Sequence, residues 1–110
     1  MRWFIRDALE EVGWKIEEAE NADQALGMLE TQGYRALVTD IEMPGDMNGL
    51  DLAWAVAANW PSTGVVITSG KALPPPENLP PRTRFLAKPL RVEVLAQALE
   101  EVVTAEDRSP

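Results

Sequence analysis

The sequence predicts an α/β domain: a parallel sheet covered by helices and wound in both directions. Three observations carry this. Short apolar runs without alternation, at Ala36–Thr39, Val65–Thr68 and Phe85–Ala87, read as strands buried on both faces. Segments with apolar residues at helical spacing alternate with them. Pro44-Gly45, Asn48-Gly49 and Ser69-Gly70 punctuate the pattern where strands must stop. Such alternation implies right-handed crossovers between neighbouring parallel strands.

In order, Arg2–Glu11 is predicted as a helix, with Ile5, Leu9 and Val12 at helical spacing and Gly13 as its stop. Trp14–Ala19 alternates apolar and polar residues, as an edge strand does. Asn21 and Gln24 read as a capping box for a second helix. Its stripe is Ala22, Ala25, Leu26 and Leu29, and Gly33 ends it. Leu50–Asn59 is the third helix, with Asn48 as N-cap and Leu50, Ala53, Trp54 and Ala57 as its apolar face. Trp60-Pro61 closes it, because a residue before proline is pushed out of helical geometry.

Lys71–Arg82 holds five prolines, which leave no room for a helix of ordinary length, so a stiff loop with one turn near Glu77–Leu79 is expected. The last helix carries Val92, Leu95, Ala96, Leu99 and Val102, and Thr104–Pro110 reads as a polar tail. The 110 residues suffice for one domain with one core, residues 1–110.

Composition removes several function classes. The chain has neither cysteine nor histidine, which excludes disulfides, thiol catalysis, imidazole acid–base chemistry and the usual zinc sites. A formal charge of −8 argues against nucleic-acid binding, which needs a basic face. No apolar run is long enough to span a membrane, and the first residues do not form a signal peptide, so a cytoplasmic protein is expected.

Three predicted strands end at Asp40, Ser69 and Lys88. Each alone is ordinary, since Asp and Ser are common in turns and Lys is common on rims. Together, at the carboxyl ends of parallel strands, they bring a carboxylate, a hydroxyl and an ammonium to the rim where such sheets bind ligands. That trio suits a phosphoryl group: one group to receive it, one to hydrogen-bond it and one to neutralise charge.

The motifs Thr39-Asp40-Ile41-Glu42-Met43-Pro44-Gly45 through Asn48-Gly49-Leu50, then Val65–Gly70, then Phe85-Leu86-Ala87-Lys88-Pro89, resemble the receiver domain of two-component response regulators. The resemblance covers nearly the whole chain. It implies the flavodoxin-like doubly wound fold and a signalling module of a phosphorelay rather than an enzyme. It implies Asp40 as phospho-acceptor, Ser69 as switch hydroxyl, Lys88 as the phosphate-contacting lysine before a cis proline, and Phe85 as the switch aromatic. Mg²⁺ would be held by Asp40 and the Glu42 backbone carbonyl, and the partner would be a histidine kinase or phosphotransfer protein.

Two features depart from the family. The chain starts inside what would be the family's first helix, so the first strand and its metal-binding acidic pair are not in the sequence. The Pro-rich segment stands where receivers carry a helix of their output surface. A pseudo-receiver that binds proteins without being phosphorylated is the alternative reading. Without the middle strand, Trp14–Ala19 and Ala36–Thr39 would stand roughly 10 Å apart. Two outcomes would satisfy their backbone groups. One is collapse into a four-stranded sheet with the two segments paired directly. The other is association with a second chain as a homodimer.

Overall fold

The computed structural model describes residues 2–42, 47–70 and 79–107. Its elements run α1 (Arg2–Glu11), α2 (Ala22–Thr31), β1 (Ala36–Asp40), α3 (Gly49–Asn59), β2 (Gly64–Ser69), β3 (Thr83–Ala87) and α4 (Val92–Asp107). The strands form a parallel sheet in the order β1-β2-β3. Asp40 lies opposite Thr68, and Thr68 opposite Leu86.

Strand alternation divides the core in two. Val66 and Leu86 pack with Leu9 of α1 and with Leu95, Ala98, Leu99, Val102 and Val103 of α4. Val65 and Ile67 pack on the other face with Ala22, Ala25 and Leu29 of α2 and Leu52, Ala53 and Val56 of α3. Central β2 is buried along its whole length. Burial of an aliphatic side chain such as Val66 or Ile67 contributes about 1.5–3 kcal/mol, which makes this strand the axis of the fold.

Helix ends follow the local chemistry. Gly13 closes α1 with φ +105°, in the left-handed region that glycine enters without penalty. The Asn21 side chain accepts the Gln24 N–H at 2.8 Å, while the Gln24 side chain reaches back to the Glu20 N–H. At α3, Asn48 and Asp51 complete a reciprocal capping box.

Several expectations are corrected. The sheet has three strands among the described residues, not four. Trp14–Ala19 carries no regular secondary structure and joins no ladder. Its pattern of half-buried Trp14 and Ile16 between exposed Lys15 and Glu17 is strand-like, yet side chains hold it in place of backbone pairing. Arg6 contacts the Glu18 carboxylate at 2.8 Å and the Ile16 carbonyl at 3.3 Å. The Tyr34 hydroxyl donates to Glu17, a bond that holds the phenol above its ordinary titration range. The Arg35 guanidinium lies over the Trp14 ring at 5.9 Å.

The face of α3 is shifted by one residue from the expected stripe. Gly49, Leu52, Ala53 and Val56 are inward, and Trp54 is 46% exposed. Four alanines in this helix leave its phase ambiguous in the sequence, and the packing of Gly49 against β1 settles it. Val12, expected in the α1 stripe, is exposed in the turn beyond the helix. Helix α4 runs on to Asp107, through the first part of the expected tail. The Pro44-Gly45 turn, the Pro-rich run from Lys71 to Asn78 and the last three residues lie outside the described residues.

Strand β1 has an open side. The Arg35 carbonyl accepts from Gly64 at 3.0 Å, and the Ile41 N–H donates to Thr68 at 2.8 Å. Backbone groups of a strand alternate in direction, so Leu37 and Thr39 also face β2, whereas Ala36, Val38 and Asp40 face away from it. Among the described residues no strand pairs on that side. Val38, mid-strand and apolar, is accordingly 42% exposed.

Candidate functional site

The carboxyl ends of the strands form one rim. Asp40 is the last residue of β1. The Ile41–Thr68 hydrogen bond carries the ladder one residue past it, and the chain returns to place α3 against it. Gly49 N–H donates to the Ile41 carbonyl at 2.9 Å. A Cβ at Gly49 would lie 2.1 Å from the Asp40 carbonyl oxygen, so only glycine lets the helix come this close.

Lys88 follows β3. Its N–H donates to the Ser69 carbonyl at 2.8 Å, and the Lys88–Pro89 peptide bond is cis. Its ammonium lies 2.9 Å from Asp40 Oδ1. The two side chains are 41% and 48% exposed, and such pairs add only about 0–1 kcal/mol to stability. The pair therefore matters less to the fold than to the charge at the rim.

The hydroxyl at the carboxylate belongs to Thr68. Its Oγ1 donates to the same Oδ1, and the Thr39 carbonyl is 3.4 Å away. Ser69, the residue expected from the sequence, is buried opposite Ala87. By strand alternation its side chain belongs to the other face from Thr68, and its carbonyl is what meets Lys88. Register is the signal that finds Thr68: it lies directly opposite Asp40, and the sequence alone does not supply that pairing. Phe85 lies opposite Ile67 and packs, partly buried, against the α2–α3 cluster.

The arrangement is an exposed carboxylate with one oxygen held by a cation and a hydroxyl, which can act as a nucleophile toward an electrophilic phosphorus. Mg²⁺ is a poor fit to the donors among the described residues. Among the described residues no group of three or more Asp, Glu, His or Cys side chains is placed to hold a metal ion. Asp40 Oδ1 is already engaged, and exposed Glu42 would add only a backbone oxygen toward a near-octahedral shell.

The family model for the response regulator receiver domain matches residues 1–100. The response regulator receiver protein CpdR of Brucella abortus is 30% identical over 108 residues, covering 96% of this chain and 89% of CpdR. Among solved structures, the response regulator TrrA from Thermotoga maritima, in complex with Mg²⁺–BeF, superposes with a TM-score of 0.79 at 22% identity, covering 92% of this chain and 88% of TrrA. A response regulator from Burkholderia pseudomallei, solved with a phosphorylated aspartic acid, gives a TM-score of 0.73 at 23% identity, over 97% of this chain and 66% of that one. The fold is thus the flavodoxin-like receiver fold, and the chain belongs to the response regulator receiver domain family.

Proposed function

We propose that this chain is a phosphoryl acceptor of a two-component phosphorelay and that Asp40 takes the group from a phosphohistidine on a histidine kinase or phosphotransfer protein. The observation that carries this is the Asp40 carboxylate on the exposed rim with the Lys88 ammonium 2.9 Å from Oδ1. An Asp40 oxygen attacks phosphorus, the new O–P bond forms as the P–N bond breaks, and the electron pair leaves on that histidine nitrogen, with the proton on the other ring nitrogen making the leaving group a neutral imidazole. Lys88 offsets the charge that gathers on the phosphoryl oxygens. Ser69 and Phe85, on β2 and β3 beside the rim, are the residues through which the acyl phosphate would be read out. The Burkholderia pseudomallei regulator with its phosphorylated aspartic acid supports the same chemistry on this fold.

Mg²⁺ in the family stabilises the charge of the transferring group, and the donor set described here does not replace it. Labelling by a small donor such as acetyl phosphate with Mg²⁺ should accordingly be slow. A phosphohistidine protein, which positions its own phosphoryl group, should label faster. The test is transfer from a purified phosphotransfer protein carrying radiolabelled phosphohistidine, compared between the wild type and Asp40→Asn. Label on the wild type alone is the expected result. Equal labelling of both would remove Asp40 from the role, and no labelling of either would favour an interaction module that does not accept phosphate.

A further inference from the structure

From the register of β1 and β2, we infer that Thr68 is a positioning residue for Asp40: its hydroxyl and the Lys88 ammonium together fix Oδ1, so that Oδ2 is the oxygen that attacks phosphorus. The inference rests on the phosphoryl-acceptor reading above and deepens it at one atom.

Four observations meet here. Thr68 lies directly opposite Asp40 across the parallel ladder. Its side chain is 2% exposed, at the end of a strand whose preceding three residues are Val65, Val66 and Ile67. A hydroxyl buried there must be hydrogen-bonded, because an unsatisfied one is costly. It has one proton and two acceptors in view, the Asp40 carboxylate and the Thr39 carbonyl at 3.4 Å, and it takes the carboxylate. A bond to a charged acceptor is the stronger of the two.

The consequence is geometric. A carboxylate on a strand end turns about its terminal torsion, which is broad and roughly two-fold for Asp. A surface lysine alone would restrain it weakly, since its four-carbon stem is flexible. A buried β-branched side chain has a stiff χ1 and sits on the rigid central strand. Thr68 therefore supplies the fixed point and Lys88 the charge, both on Oδ1. The oxygen engaged by neither donor is Oδ2, and Asp40 is about half exposed on the rim where a donor protein arrives.

The experiment compares the wild type with Thr68→Val and Thr68→Ser. Valine keeps the β-branched shape and removes the proton, and urea unfolding checks that each variant folds. The first readout needs no phosphorylation: the side-chain carboxylate ¹³C resonance of Asp40, assigned by its loss in Asp40→Asn. It should move in Thr68→Val and return in Thr68→Ser. The second is the saturable rate of transfer from the phosphotransfer protein carrying phosphohistidine. The maximal rate should fall about tenfold to a hundredfold in Thr68→Val with the half-saturating concentration unchanged, and recover in Thr68→Ser. An unmoved resonance in Thr68→Val overturns the inference. Absence of labelling in every protein, wild type included, would count against the phosphoryl-acceptor reading, while the resonance still decides whether Thr68 holds Asp40.

Discussion

Replacing Gly49 by alanine tests whether the close approach of α3 to β1 is what frames the rim. The added Cβ would lie 2.1 Å from the Asp40 carbonyl oxygen, 2.8 Å from its carbon and 2.9 Å from Ile41 Cα. All three are backbone atoms, so no side chain can swing aside. Restoring ordinary contact moves the helix start by about 1 Å, which stretches the 2.9 Å Gly49–Ile41 hydrogen bond beyond bonding range. Overpacking of this kind costs about 1–3 kcal/mol and the lost bond about 1 kcal/mol more, so a loss of about 2–4 kcal/mol is expected. That is a large share of the stability of a domain this size. The control is Gly27→Ala, inside α2, where a Cβ would meet nothing within 4 Å. There the gain in helix propensity should stabilise by about 0.5–1 kcal/mol. Urea unfolding followed by far-ultraviolet circular dichroism reads both. Equal effects at the two sites, or a Gly49→Ala change within about 0.5 kcal/mol of zero, would refute the packing argument.

Gly64→Ala should destabilise by about 1–3 kcal/mol, because its Cβ would come within 2.5 Å of Val102 Cγ2 and 2.9 Å of the Val102 carbonyl oxygen; a melting temperature unchanged from the wild type would contradict this. Lys88→Ala should alter unfolding stability by less than about 1 kcal/mol yet slow phosphoryl transfer about a hundredfold, and an unchanged transfer rate would place Lys88 outside the chemistry. Hydrogen exchange should be at least about tenfold faster at the Val38 amide, which faces the open side of β1, than at Val66 in the central strand, and equal protection would mean that the open side is covered in solution.

The sequence reveals the α/β alternation because buried parallel strands leave runs such as Val65-Val66-Ile67 that no exposed element would carry. Asp40 and Lys88 were legible for the same reason: each stands directly where an apolar run stops. Thr68 was not, since its meeting with Asp40 depends on strand register, a long-range property that Thr68-Ser69 spells ambiguously. The inward face of α3 was hidden by its run of small residues, whose hydrophobicity barely differs around the helix. Trp14–Ala19 misled because alternation reports half-burial, whereas a strand also needs a neighbour to hydrogen-bond with.

The phosphorylated residue itself is the most direct measurement. Protein labelled by a phosphohistidine donor is reduced with borohydride, which converts an aspartyl phosphate to homoserine, and the peptides are read by mass spectrometry. The account predicts homoserine at position 40 and at no other position, with none formed in Asp40→Asn. Label that survives as a phosphoserine or phosphothreonine, or homoserine at another aspartate, would contradict it.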